Sequence, residues 1–151
     1  MGLKVNDLKG IGFFENYRDV HLKVFLKFSS IREFNTKDIL FEQYEHLSDI
    51  YILLEGTLAL GISLPMEKRV RLSNIQPGQL FSWSAMFEPG ISTAWVKAIS
   101  SGKILTVNAE KLQKEFKKDY EFGFLTISKI AMTISHRLAD TRFHLMNLLN
   151  I

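Results

Sequence analysis

The chain has 151 residues, 46% of them hydrophobic and 23% charged, which is enough for a real apolar core and argues against disorder. It contains no cysteine, so disulfides, cysteine-based zinc sites and thiol nucleophiles are excluded. The formal net charge is only +3. The densest basic spots, Lys68-Arg69-Val70-Arg71 and Lys114-Glu115-Phe116-Lys117-Lys118, read as solvated turn and helix faces rather than a nucleic-acid footprint.

Leu8 to Phe28 has helical spacing, with Phe13, Phe14, Tyr17, Val20, Val24, Phe25 and Phe28 on the apolar positions, and predicts one or two helices. The period changes at Ser30. Ile31–Phe34 and Ile39–Gln43 read as strands around a turn at Asn35–Asp38. Asp49–Glu55 is a buried strand, and Gly56 permits the tight turn into Thr57–Ile62. A hairpin loop at Pro65–Lys68 leads to Arg69–Leu72, and Pro77-Gly78 is a strong turn signal. Strands resume at Leu80, at Thr93 and at Lys103–Val107. Asn108 stands as an N-cap before a helix running to about Asp119, and a second, longer helix runs from near Tyr120 to near Leu149.

The fold class expected is α+β: an eight-stranded antiparallel β-roll of jelly-roll type, with N-terminal helices and a long C-terminal dimerisation helix. It forms one domain over residues 1–151, divided into N-terminal helices at 1–29, the roll at 30–107 and C-terminal helices at 108–151.

The last helix carries a heptad pattern. Phe124, Ala131, Leu138 and Leu145 recur every seven residues, and Ile127, Ile134, Thr141 and Leu148 follow three later. The alternative is that this face packs on the roll of the same chain. A small roll does not cover about 45 Å of helix, at a rise of 1.5 Å per residue. The pattern therefore predicts a homodimer joined through this helix.

Neither a signal peptide nor a membrane-spanning apolar run is found, so the expected setting is cytoplasmic with no membrane contact. His21, His46, His136 and His144 are scattered, without the clustered ligands of a metal-dependent jelly-roll enzyme. No metal site and no catalytic residues are expected, and no Ser-His-Asp or paired-carboxylate arrangement is evident.

The order of elements, together with Asp49–Gly56, Pro77-Gly78, Thr93-Ala94-Trp95-Val96-Lys97-Ala98, Arg137-Leu138 and Thr141, resembles the cyclic nucleotide-binding domain of bacterial catabolite activators. That resemblance covers almost the whole chain. It implies a phosphate-binding cassette in the connection after Leu80, and a regulatory rather than catalytic role. It places Phe81, Ser82, Trp83, Ser84, Ala85, Ser92 and Thr93 in a ligand pocket, with Thr141 and an arginine, Arg137 or Arg142, reaching it from the long helix.

Two departures stand out. The family has glycine then glutamate where this chain has Ser82 and Trp83, and an arginine where it has Ser92. The family glutamate accepts from the ribose hydroxyl, which an indole does not do. The family arginine pairs with the cyclic phosphate, a contact worth roughly 1.5–3 kcal/mol. Loss of both predicts cyclic AMP and cyclic GMP binding weakened at least ~100-fold, or absent. The ligand classes left open are a cyclic nucleotide, another small anion and a ring-shaped molecule lying against Trp83. The competing reading is a degenerate protein-interaction module whose pocket is plugged by Trp83 and Phe87 and which binds a regulatory protein partner. The chain ends near the hinge that leads to a helix-turn-helix in the family's transcription factors, so the expectation is no direct DNA contact.

Overall fold

The computed structural model describes residues 2–150; Met1 and Ile151, the ends of the expected domain, lie outside the described residues. Two short helices, α1 (Val5–Lys9) and α2 (Asp19–Lys27), open the chain, with a single 3-10 turn at Gly12–Phe14 between them. The helical stretch thus starts earlier than the spacing predicts. It is broken where Asn16 takes a left-handed φ of 69°, which no helix tolerates in its interior.

Eight strands follow: β1 (Ser29–Phe34), β2 (Ile39–Phe41), β3 (Asp49–Glu55), β4 (Leu58–Leu64), β5 (Lys68–Ile75), β6 (Leu80–Ser82), β7 (Trp95–Ala98) and β8 (Gly102–Asn108). They form two four-stranded sheets, β1-β8-β3-β6 and β2-β7-β4-β5, with every pairing antiparallel. This is the eight-strand roll the sequence predicts. Most strand limits shift by one to three residues; the changes that bear on the site are that β2 stops at Phe41, β5 runs on to Ile75, and the strand expected from Thr93 begins at Trp95.

Side-chain alternation sorts the core into two layers. On β3, Ile50 and Ile52 face the helices, where they join Leu8, Phe14, Phe25 and Phe122. Tyr51 and Leu53 face the roll interior with Phe41, Leu58, Phe81 and Val96. Backbone freedom matters at two glycines. Gly56 has φ 94°, and a Cβ there would stand 2.6 Å from the Ser101 carbonyl oxygen. Gly61 on β4 leaves the space that the buried Trp95 indole fills.

Asn108 caps α3 (Ala109–Lys118) by accepting from the Lys111 amide at 2.9 Å, as its position in the sequence predicts. Asp119 then caps α4 (Tyr120–Leu149) through the Phe122 amide, 3.1 Å away. The base of α4 is locked onto the N-terminal segment. Phe122, Gly123, Thr126 and Ile130 are buried, and the Tyr17 hydroxyl lies 2.8 Å from Thr126 Oγ1. Burial pushes the Tyr17 phenol well above its usual range, so it stays a neutral donor.

Beyond Ile130 no residue of α4 is buried. The face that meets the body is Phe122, Thr126 and Ile130, so the heptad seam does not pack on the roll of its own chain, even in its early half. Phe124 is 77% exposed and Leu138 56%. Ile127, Ile134, Leu145 and Leu148 are also exposed, as are Ala131 and Thr141. Among the described residues, no helix is long and apolar enough to cross a membrane.

Candidate ligand pocket

The cassette begins where β6 ends. Ser82 pairs with Tyr51 of β3, and Trp83 leads into a 3-10 turn at Ser84–Met86. The turn closes through hydrogen bonds from the Met86 amide to the Trp83 carbonyl and from the Phe87 amide to the Ser84 carbonyl. Gln113 of α3 fixes it from outside, its Nε2 donating to the Met86 carbonyl at 2.7 Å. The return segment is strapped to the β2–β3 connection. The Tyr44 amide donates to Ser92 O, the Ser92 amide to Glu45 O, and the Leu47 amide to Gly90 O.

These elements line a cavity of only about 10 Å³, room for one water at most. Phe81, Ser82, Trp83, Ser84, Ser92, Thr93 and Arg137 all line it. The structure therefore brings together seven of the nine residues expected at the pocket. Ala85 instead packs against the helical core, and Thr141 is exposed on α4, where its hydroxyl donates to the Arg137 carbonyl at 2.9 Å. Phe87, expected beside Trp83 in the plugged reading, is 46% exposed and does not line the cavity. Phe41, Leu60 and Ala94 complete the lining. The inward positions of Phe41 on β2 and Leu60 on β4 are the signal that would have found those two; Ala94 lies in the bend before β7.

Two side chains account for the small volume. Ser92 is buried, and its hydroxyl is consumed by its own turn: it donates to the Ala94 carbonyl and accepts from the Ala94 amide. Arg137 folds down from α4 and lies over the Trp83 ring, 4.8 Å from the ring centre. Burial draws the guanidinium pKa down to about 10, with Asp140 acting in the opposite direction, so it is still a cation at neutral pH. Among the described residues it makes no ion pair and no hydrogen bond through its side chain. Among those residues, no group of three or more His, Asp or Glu side chains is placed to hold a metal ion.

Arg137 also lines a second, larger cleft of about 470 Å³ between α4 and the chain joining β5 to β6. This cleft is not among the sites expected from the sequence. The available signal was the row Lys129, Thr133, His136 and Asp140, a polar stripe at helical spacing beside the apolar seam.

Comparison with known proteins gives a consistent picture. The family model described as the cyclic nucleotide-binding domain matches residues 31–119. The chain is 26% identical over 131 residues to the cAMP-activated global transcriptional regulator CRP of Pasteurella multocida (strain Pm70), a match that takes in 86% of this chain. It spans 61% of the length of that relative. A crystal structure from Geobacter metallireducens GS-15, described as a cyclic nucleotide-binding protein, superposes with a TM-score of 0.77 at 20% identity, covering 90% of this chain and 98% of that one. The Thermus thermophilus catabolite activator protein gives 0.73 at 18% identity, covering 92% of this chain and 63% of that one. At such identities these two likenesses speak for the fold.

Proposed function

The chain belongs to the cyclic nucleotide-binding domain family, and from that premise we propose that it acts as a non-catalytic, ligand-sensing regulatory domain whose cassette has lost its grip on cyclic AMP and cyclic GMP. By likeness to the cAMP-activated Pasteurella regulator, the frame is one that takes a cyclic nucleotide. The observation that carries the proposal is the small volume of the cassette cavity. At about 10 Å³ it is far smaller than a nucleotide, and the two positions that would grip sugar and phosphate hold Trp83 and a self-bonded Ser92. Opening it requires Arg137 and Trp83 to part, which costs their stacking, roughly 0.5–2 kcal/mol, before any ligand contact is made.

The experiment is calorimetric titration of the protein with cyclic AMP and cyclic GMP. The expected result is no saturable binding below roughly 1 mM, equivalent to less than about 4 kcal/mol. Saturation at micromolar nucleotide overturns the proposal.

The same reading has two chains joined along α4. The exposed row Phe124, Ile127, Leu138, Leu145 and Leu148 supports it, since an apolar stripe of that length is seldom left in water. A second reading, a protein-interaction module with no ligand, is favoured by one specific fact: Trp83 and Arg137 already fill the space a ligand would need. The two readings part on whether any small molecule perturbs Trp83.

A further inference from the structure

Arg137 lines both the small cassette cavity and the larger cleft behind it. The contrast in size is large: about 10 Å³ on one side and about 470 Å³ on the other. The larger volume is in the range of sites that hold small organic molecules. Its walls come from separate parts of the chain. Ser73 and Asn74 stand at the end of β5 and Gln79 on the connection from β5 to β6, and Thr133, His136 and Arg137 face them from α4.

The charge in this cleft is unbalanced. Lys129, at one end, is already engaged: its Nζ donates to the Glu15 carbonyl at 2.7 Å and lies over the Tyr17 ring at 5.0 Å. Arg137 has no such partner among the described residues, only the Trp83 ring face. A half-buried guanidinium with no ion pair and no acceptor, offset only in part by Asp140, is costly unless something else supplies one. Its planar fork matches a carboxylate or a phosphate through two parallel hydrogen bonds. The neighbouring donors suit the same guest. Asn74 Oδ1 is taken by Arg71, which leaves the Asn74 amide N–H groups, and His136 adds a ring N–H. Asp140 lines the same cleft and offsets part of the positive charge, so the site suits one anionic group rather than a polyphosphate.

We propose that this cleft between α4 and the β5–β6 connection, rather than the cassette, is the ligand site of this protein, and that it takes a small organic anion, a carboxylate or a phosphate monoester, whose charged end docks on Arg137. The proposal rests on the reading of the chain as a ligand sensor. Docking withdraws Arg137 from Trp83, so occupancy is reported by the indole and by the helix that carries Arg137.

The test uses the full chain and three probes, inorganic phosphate, glycerol 3-phosphate and succinate, each titrated to about 10 mM at constant ionic strength while tryptophan emission and the thermal midpoint are followed. At least one probe is expected to give a saturable emission change with a rise in midpoint; the phosphate and succinate arms tell which anion is preferred. Arg137→Gln is expected to weaken that response about tenfold or more. Thr133→Trp, which fills the cleft, is expected to abolish it, whereas Thr93→Trp, at the mouth of the cassette, leaves it intact. His136→Trp, at a more exposed position, is the second cleft-filling variant should Thr133→Trp fail to fold. No saturable response to any probe in the unaltered protein overturns the proposal. So does a response that survives Thr133→Trp and His136→Trp but is lost in Thr93→Trp. Micromolar cyclic AMP binding that is indifferent to the cleft variants and lost in Thr93→Trp defeats the degenerate-cassette reading instead, and the cleft is then judged on the small anions alone.

Discussion

The guanidinium of Arg137 lies 4.8 Å from the centre of the Trp83 ring and roofs the cassette with it. One residue comes from the long terminal helix and the other from the turn after β6, so this contact is where ligand pocket and helix meet. Any event at one is felt at the other only if the pair has two arrangements of differing affinity.

Restoring the missing grips tests this directly. The triple variant Ser82→Gly, Trp83→Glu, Ser92→Arg removes the roof and supplies the carboxylate and guanidinium that the family uses. It is expected to bind cyclic AMP at least ~100-fold more tightly than the unaltered chain, the converse of losing two charge-assisted contacts. Calorimetry on both proteins gives the ratio. A triple variant that folds and shows no gain would mean that the backbone of the cassette, not its side chains, blocks the nucleotide.

Dimerisation through α4 predicts a sharp response to charge on the seam. Leu138→Asp combined with Leu145→Asp places carboxylates on an exposed apolar stripe that the fold of a single chain does not use. The expected outcome is a monomer by sedimentation velocity with an unchanged circular dichroism spectrum over the roll. Sedimentation of the unaltered chain as a monomer at all concentrations would remove the basis for a paired α4.

The Tyr17–Thr126 hydrogen bond closes a contact between the N-terminal segment and α4. Thr126→Val leaves the buried Tyr17 hydroxyl without its acceptor and is expected to cost about 1–3 kcal/mol. For a chain of this size that lowers the thermal midpoint by roughly 2–4 °C per kcal/mol. Adding Tyr17→Phe to the same chain removes the orphan and recovers most of the loss. A double variant no better than Thr126→Val would show that lost packing, not the stranded hydroxyl, sets the cost.

Asp119 gives a pH dependence with a definite sign. The Phe122 amide that it caps holds its carboxyl below the ordinary value of 3.8, burial acts the other way, and His21, 3.1 Å away, adds to the lowering. A carboxylate whose pKa is lower in the folded chain stabilises that chain fully above the unfolded value, near pH 4, and loses this contribution as pH falls through the folded one. The difference in thermal midpoint between the unaltered chain and Asp119→Asn is therefore expected to be largest near neutrality and to shrink towards pH 3. A gap that stays constant over that range contradicts the capping role.

Much of this fold is legible where local chemistry decides the outcome. Asn108 announces a helix start because its side chain satisfies a backbone amide that nothing else reaches. The run Asp49–Glu55 reads as a strand because both its faces are apolar, and it does sit between the two core layers. Legibility fails where distant contacts decide. Thr93 looks like the start of a strand, but the Ser92 hydroxyl bends the chain onto Ala94 and delays β7 to Trp95. Ser73 and Asn74 look like loop, yet β5 runs through them at the edge of its sheet, where a polar side chain is no handicap. The filled cassette was legible only in part: the sequence offers Trp83 as a plug and Arg137 as a pocket residue, but not their stacking, which depends on a cation delivered from the far end of the chain. Trp83 by itself is equally a plug or a wall; Arg137 stacked on it makes a lid.

The free stretch of α4 has a mechanical consequence. From Ile130, its last buried residue, to Leu149 the helix extends about 28 Å at 1.5 Å per residue. It is a stiff rod clamped at one end. A tilt of roughly 10° at the clamp sweeps the tip through about 5 Å over that length. Arg137 sits about 10 Å from the clamp on the same scale, so a nudge of under 2 Å there is magnified nearly threefold at the tip.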